Sequence, residues 1–524
     1  ALSDPAVQFA ALKKRTVEAL SSGRVPLWNP DIYAGTPLLG NGQSRAFSPV
    51  TLLHVLFGEW WAQNLGVWWL LLWPSLGSFL LLRKMGLTSS AALCGALAVV
   101  NLPFLQVWLL HPHASTFVWL PWMLLCVESM GARGSPLSLA MCTLGLMTGG
   151  HPETALHVLV FVGVWGIWRR CVWTLLAPVA FGLLMSAAIW LPVLENVLGS
   201  ATLEAHGGNR LFLAQLSDLL WPNIHGHPAL EGYSGPGVWA DGVLNPGVAV
   251  VVLAVTAWSH RTGRVLLCIP LVCIVVALLG LPLANHTRLA SLSMFFVALA
   301  CGYGVSRFSP KTQAFLACLI VLSGVHARRH DQAAIPWEKH SLQPADWAHN
   351  LGGEIGAQGR ILALETSLQP NTGALAGLRS IRGYDLPVSP HWESFAAEMD
   401  PRLQRPDFPV SEFQPRNEGA IRFAGVQFLV SNKPIEGLEP VDLGRSPVGV
   451  YRLSEPGHRA WLAEGARATR SQEAAFRAIV RDPLARSRPP VEGLAQGWPG
   501  RSFEPLEVFE EQPERVRIPF VSDT

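Results

Sequence analysis

The sequence predicts a mainly α protein: a polytopic α-helical membrane bundle of about ten helices followed by an α+β domain on the outer side. Three observations carry this expectation. Of the 524 residues, 50% are hydrophobic and only 15% charged, with 21 Trp and a mean hydropathy of +0.30; soluble domains carry about 25% charged residues. The charge deficit falls almost wholly between residues 63 and 326, and the final third has an ordinary soluble composition. Short loops rich in Arg and Lys alternate with loops nearly free of them.

A bilayer core of about 30 Å takes about 20 apolar residues per helix. The segments that meet or approach this length lie near 63–82, 91–110, 114–130, 136–149, 153–168, 171–194, 243–258, 264–282, 288–305 and 312–326. Those at 114–130, 136–149 and 153–168 are short and read as tilted or incompletely spanning. Alternate connections carry Arg83 and Lys84, Arg133, Arg169 and Arg170, Arg261 and Arg264, and Arg307 and Lys311. The intervening ones (111–115, 148–153, 283–288) hold a single cation, Arg288, at an edge. Cationic loops stay cytoplasmic, so residues 1–62 form a first outer loop with short helices. Residues 63–326 form the membrane domain, with a large outer loop at 195–242, and residues 327–524 form an outer domain. Polar groups concentrate on that side, and chemistry is expected there.

In the outer domain, 359–365, 426–432, 448–454 and 459–465 read as strands, and 471–482 reads as an amphipathic helix. The last residues look like a hairpin whose sheet ought to continue, since an unpartnered final strand leaves an edge. The chain is therefore expected to be cut short at this end. It opens on Ala1 with a polar segment, which suggests an incomplete or processed start as well.

A net charge of +2 gives no reason to expect a nucleic-acid partner. All eight cysteines fall in or beside apolar segments, where no disulfide framework or zinc spacing emerges. No P-loop, dinucleotide fingerprint, nucleophile elbow or HExxH helix is present. No cofactor or metal is expected; a divalent cation is compatible with the sequence, but nothing calls for one.

Each candidate residue carries two readings. Asp4 and Gln8, four apart, share a helical face; Asp4 is either a general base at the membrane surface or the cap of a helix entered through Pro5. The stretch GRVPLWNPDIYAGTPLLGNGQSRAFSP (23–49), with Trp28 and Asn29, is either a floor beneath a lipid-linked ligand or a purely structural interfacial loop. Asp31 is a weaker second acid. His113, His151 and Glu153 sit in two His-Pro turns at the outer ends of apolar helices. They either line a polar pocket or cap and bridge helix ends. Arg288 suits a phosphate or snorkels to head groups, and Arg210 is a lesser candidate for the same role. Arg382, Tyr384 and Asp385 either contact an acceptor or hold a turn.

Asp4, Gln8 and Phe9, the G-x-x-P-L-W-N-P run from Gly23 to Pro30, Gly35 to Leu39, and Phe47 to Pro49 together resemble the bacterial YfhO-type membrane proteins. So do the WLPWMLL run after His113, the G-H-P-E turn at 150–153, and the R-G-Y-D and G-V-Q-F-L-V-S elements (382–385, 425–431). The resemblance is ordered along most of the chain. It implies a fold like that of the GT-C glycosyltransferases, a polyprenyl-phosphate sugar donor, a cell-envelope glycan or glycopolymer acceptor, and a multi-pass place in the bacterial cytoplasmic membrane. By the same resemblance Asp4 is the candidate base, and His113, His151, Glu153 and Arg288 are the pocket candidates. The family's first helix ought to precede Asp4.

The activity so implied is inverting transfer of a hexosyl or N-acetylhexosaminyl group on the outer face. The alternatives are a lipid or polysaccharide transporter or flippase, and a non-catalytic membrane scaffold. Against transport, the sequence has no internal repeat and no charge relay within its helices.

Overall fold

The computed structural model of the chain describes residues 4–130, 134–200, 210–228, 230, 232–280, 286–330, 346–355, 359–384, 387–400, 418–453, 457, 461–462, 465–481, 489–492, 498–499, 504–505, 509–512 and 515–517. It divides into two compact units. The first holds residues 42–191 and 206–337; the second holds residues 2–41, 192–205 and 338–524.

The first unit is helical. Each apolar segment becomes a helix or a broken helix, and proline sets several of the breaks because it cannot donate into the preceding turn. Ser48 accepts from Thr51 N–H and Pro49 occupies the first turn, so the F-S-P motif starts the Pro49–Lys84 helix. That helix begins well before residue 63 and bends at Gly58, where φ is 68°. The 91–110 segment resolves into Ser89–Val100 and Pro103–Val107, and the 114–130 segment into Pro112–Phe117 and Leu120–Ser129. Neither forms one continuous span. Val172–Met185 and Ala187–Leu198 meet at 79°.

Among the described residues, three helices are long and apolar enough to cross a bilayer: Pro49–Lys84, Arg261–Leu279 and His286–Val305. The bent pair at 172–198 makes a fourth if it counts as one span. The chain is a multi-pass membrane protein. His286–Val305 is buried along nearly all its length and packs on Ser89–Val100, Val248–Thr256 and Arg261–Leu279. Small residues permit that approach: a Cβ at Gly304 would collide with the carbonyl oxygen of Leu253. Leu56, Trp61, Trp68, Trp173, Leu184 and Val272 point outward and exposed, as lipid-facing side chains do.

The second unit is α+β. Strands Arg360–Ala363, Val426–Ser431 and Gly449–Arg452 form one sheet, the first pair parallel and the second antiparallel. Strand alternation sends Ile361 and Ala363 into a core with Trp347, Leu351, Phe428 and Val450. Leu362 faces an opposite core with Trp392, Met399 and Val426. Helix Gln472–Arg481 and the hairpin of Phe509–Gln512 with Arg515–Arg517 occupy the stretches their patterns predict.

The stretch quoted above is split. Its greater part belongs to this second unit, where Ile32 and Tyr33 lie in the same core as Leu362 and Trp392. Tyr33 meets Trp392 at 4.7 Å between ring centroids. Ser380 N–H donates to Asp31 O at 2.8 Å, Ala34 N–H to Ser380 O at 3.1 Å, and Arg360 Nη2 to Ala34 O at 2.8 Å. Asp31 is fully buried in a two-pronged pair with Arg15, so its carboxylate is committed to architecture.

Candidate functional site

In the first unit the two His-Pro turns converge. His151 caps helix Pro152–Trp168: its Nδ1 accepts from Thr154 N–H at 3.2 Å, with Pro152 in the first turn and Glu153 beside the positive helix end. Pro112 likewise opens the short helix Pro112–Phe117. His151 N–H donates to Thr116 Oγ1 at 3.3 Å, joining the turns through backbone. Gly149 and Gly150 are required there. A Cβ on Gly149 would stand 2.5 Å from Thr116 Cα, and Gly150 has φ of 90°.

The rings of His113 and His151 stack with centroids 3.6 Å apart, and Trp108 stacks on His113 at 4.1 Å. Stacked imidazoles direct their nitrogens sideways, which is poor geometry for holding one ion between them. Among the described residues no three His, Cys, Asp or Glu side chains converge as metal ligands. His113 is buried, and neither ring nitrogen has a hydrogen-bond partner; the buried Trp108 Nε1 also has none.

Arg288 joins this cluster from the first turn of His286–Val305. Its Nη1 donates to Glu153 Oε2 at 2.9 Å and its Nε to Asp241 Oδ1 at 2.6 Å, while its guanidinium carbon stands 5.1 Å from the Trp108 ring centroid. One cation held by two carboxylates leaves a group of net −1, which repels a phosphate more than it attracts one. The pairing instead ties together the Pro152–Trp168 helix, the short helix Trp239–Gly242 that carries Asp241, and the His286–Val305 helix. Arg210 stands elsewhere, exposed at the end of Arg261–Leu279, with its guanidinium carbon 5.0 Å from the Phe212 ring centroid.

The remaining candidates belong to the second unit. Asp4 does not cap its helix: its backbone is helical, φ −66° and ψ −47°, and its side chain makes no cap bond. It precedes a π turn, Pro5–Phe9, that runs into the Ala10–Ser21 helix; such turns often mark functional positions. The Tyr384 hydroxyl donates to Asp4 Oδ1 at 3.1 Å. Burial, then the Asp4 charge and the bond to it, push that hydroxyl up to about 12. Gln8 turns inward and is buried, Asn29 is buried, and Trp28 is partly exposed against Gly35. Asn29 Oδ1 accepts from Asp31 N–H at 3.1 Å, a turn bond. Arg382 is buried and donates to the carbonyls of Ala363 and Glu365. Asp385 lies outside the described residues.

The structure brings together His113, His151, Glu153 and Arg288, the four residues that the family resemblance names as pocket candidates. Sequence reasoning did not assign Trp108 or Asp241 to this cluster, because their parts depend on partners distant in the chain. An Asp beside an apolar helix start was the available signal for Asp241.

No family model matches the chain, and no curated protein matches it. Among solved structures the chain is similar to the arabinofuranosyltransferase AftD from Mycobacteria, with a TM-score of 0.52 and 15% identity over 93% of this chain and 43% of that one. The chain spans less than half the length of that structure. It is also similar to ArnT from Cupriavidus metallidurans in the apo state, with a TM-score of 0.46 and 13% identity, covering 84% of this chain and 92% of that one. The likeness to AftD is one of fold.

Proposed function

We propose that the chain is a membrane glycosyltransferase that takes a sugar from a polyprenyl-phosphate donor and gives it to a cell-envelope acceptor on the outer face of the bacterial cytoplasmic membrane, with inversion. The observation that carries this reading is the half-exposed Asp4 carboxylate oriented by Tyr384, in a chain whose fold matches a sugar transferase. A general base needs a fixed direction and an open side for its substrate.

In this reading Asp4 removes the proton of an acceptor hydroxyl as that oxygen attacks the anomeric carbon. The bond from that carbon to the phosphate oxygen breaks, and the electron pair leaves with the polyprenyl phosphate. Tyr384 positions the carboxylate, and Gln8 packs behind the turn that carries it.

The test is transfer of label from a polyprenyl-phosphate sugar by the full chain in membranes. Asp4→Asn and Asp4→Ala are expected to lower transfer about a hundredfold or more while the protein still folds. Transfer at the wild-type rate by Asp4→Ala overturns the assignment. Movement of the intact labelled lipid across the bilayer without transfer supports a flippase instead.

A further inference from the structure

Among the described residues, arginines drawn into the protein have partners that answer their charge or their donors. Arg15 has Asp31, Arg288 has Asp241 and Glu153, Arg328 has the Asn245 carbonyl, and Arg382 has two carbonyl oxygens. Arg45 has fewer. It is 8% exposed, and its described hydrogen bond runs from Nη1 to Ser115 Oγ at 3.1 Å. Among the described residues no carboxylate pairs with it. A guanidinium carries five N–H donors in a planar fork, so among the described residues most of this fork is unanswered. Burying an ion without a counter-charge costs several kcal/mol in order of magnitude.

The surroundings hold Arg45 in place. Its own backbone is left-handed, with φ of 51°, a conformation that costs a non-glycine residue about 1 kcal/mol. It is kept there by Arg45 N–H donating to Gly42 O and Ser48 N–H donating to Arg45 O, both at 2.9 Å. Gly150 clamps the side-chain stem, since a Cβ there would stand 2.6 Å from Arg45 Cγ. Strained backbone of this kind collects at ligand sites.

A second observation points the same way. Ser115 belongs to the short helix that also carries His113. Both His113 ring nitrogens and the adjoining Trp108 Nε1 are buried and unsatisfied. Buried polar groups are ordinarily satisfied. A neutral imidazole offers one N–H donor and one acceptor, so it is the donor fork of Arg45, with no described carboxylate on it, that calls for an anion. Among anions at membrane depth, a phosphate presents several oxygens to an arginine fork. Burial by itself also draws the Arg45 pKa down to about 10, as befits a cation with no anion beside it.

We propose that Arg45, held on Ser115 Oγ and against Gly150, is a binding site for a phosphate monoester or diester. That the occupant is the phosphate of a lipid-linked donor rests on the transferase reading; the anion site itself does not.

The test uses the full chain in detergent with three probes: inorganic phosphate, farnesyl phosphate, and farnesol as the uncharged control. Farnesyl phosphate is expected to raise the melting temperature of the wild type and farnesol to leave it unchanged. Arg45→Met is expected to bind farnesyl phosphate about tenfold or more weakly, a difference of about 1.4 kcal/mol. Without ligand, it should melt at or above the wild-type temperature, because a buried charge has been removed. Equal shifts in the two proteins, or no shift of the wild type with either phosphate, overturn the proposal. Inorganic phosphate matching farnesyl phosphate supports a free-phosphate occupant; a much larger effect of farnesyl phosphate supports a lipid-linked one.

Should Arg45→Met not fold, phenylglyoxal modification of Arg45 in the wild type is read by mass spectrometry. Phosphate is expected to slow it severalfold, and an unchanged rate overturns the proposal. Binding is measured without transfer, so an Asp4 variant that binds but does not transfer, and an Arg45 variant that does not bind, separate the two readings.

Discussion

The Tyr384 hydroxyl donates to Asp4 Oδ1 at 3.1 Å, joining residues 380 positions apart. The contact links the first described turn of the chain to the loop after Arg382, inside the second unit. Lys14 reinforces the same association by donating to Leu375 O at 2.8 Å. A carboxylate at the start of a helix is ordinary; one held from outside its helix by a phenol is a positioned group.

The Tyr384 contact gives the alkaline behaviour a sign. Burial first, then Asp4, hold the phenol's pKa near 12 in the fold, against about 10 in the unfolded chain. The folded state therefore keeps this proton longer, and the stability it contributes is full below about pH 10 and lost as pH rises through the folded value. Thermal melts across that range are expected to fall more steeply for the wild type than for Tyr384→Phe. Asp4→Asn should show an intermediate slope, since burial, the larger cause, remains. Identical slopes for wild type and Tyr384→Phe contradict this account.

The Arg288 tie ought to respond unequally to its members. Arg288→Met leaves Glu153 and Asp241 without their shared cation, and is expected to destabilise the first unit by about 3 kcal/mol, the low end for a broken buried pair because Glu153 is partly exposed. Glu153→Gln keeps the Asp241 pair and ought to cost about 1 kcal/mol. Melting in detergent ranks them. A Glu153→Gln loss as large as that of Arg288→Met contradicts the shared-cation arrangement.

Arg15 and Asp31 test architecture against chemistry. Asp31 is fully buried in its pair, so Arg15→Leu strands a carboxylate and is expected to cost about 3–5 kcal/mol. The double variant Arg15→Leu with Asp31→Leu ought to recover much of that loss. Proteolysis of the second unit provides the measurement; a double variant cut as fast as the single one argues against the pair as the cause.

Gly150→Ala combines a positive φ of 90° with a Cβ that would stand 2.6 Å from Arg45 Cγ and 2.7 Å from Gly42 O. The expected cost is about 1–3 kcal/mol from overpacking. The accompanying displacement of Arg45 ought to show as faster phenylglyoxal labelling than in the wild type. Unchanged labelling separates the Gly150 contact from the Arg45 position.

Local physics was legible without coordinates. The apolar runs that became helices, the strands at 360–363 and 426–431, the helix at 472–481 and the His-Pro helix starts all follow from periodicity and turn chemistry, which act within a few residues. The breaks at Pro103 and Pro121 were visible as prolines, yet length alone read each segment as one span.

Partners were a different matter. Arg288 meets Asp241 and Glu153 at separations of 47 and 135 residues, and Asp4 meets Tyr384 at 380. Asp31 looked like a spare acid until Arg15 closed on it. The largest part of the opening stretch looked like an interfacial floor until its Ile32 and Tyr33 entered a core of the second unit with Leu362 and Trp392. Hydropathy and turn propensity are properties of neighbours in the chain, so the sequence by itself determined which segments are helix, strand and turn. Which charges are answered by carboxylates, and that Arg45 instead meets Ser115 among the described residues, depends on side chains brought together only when the helices and sheet have packed, and that the tertiary structure alone decided.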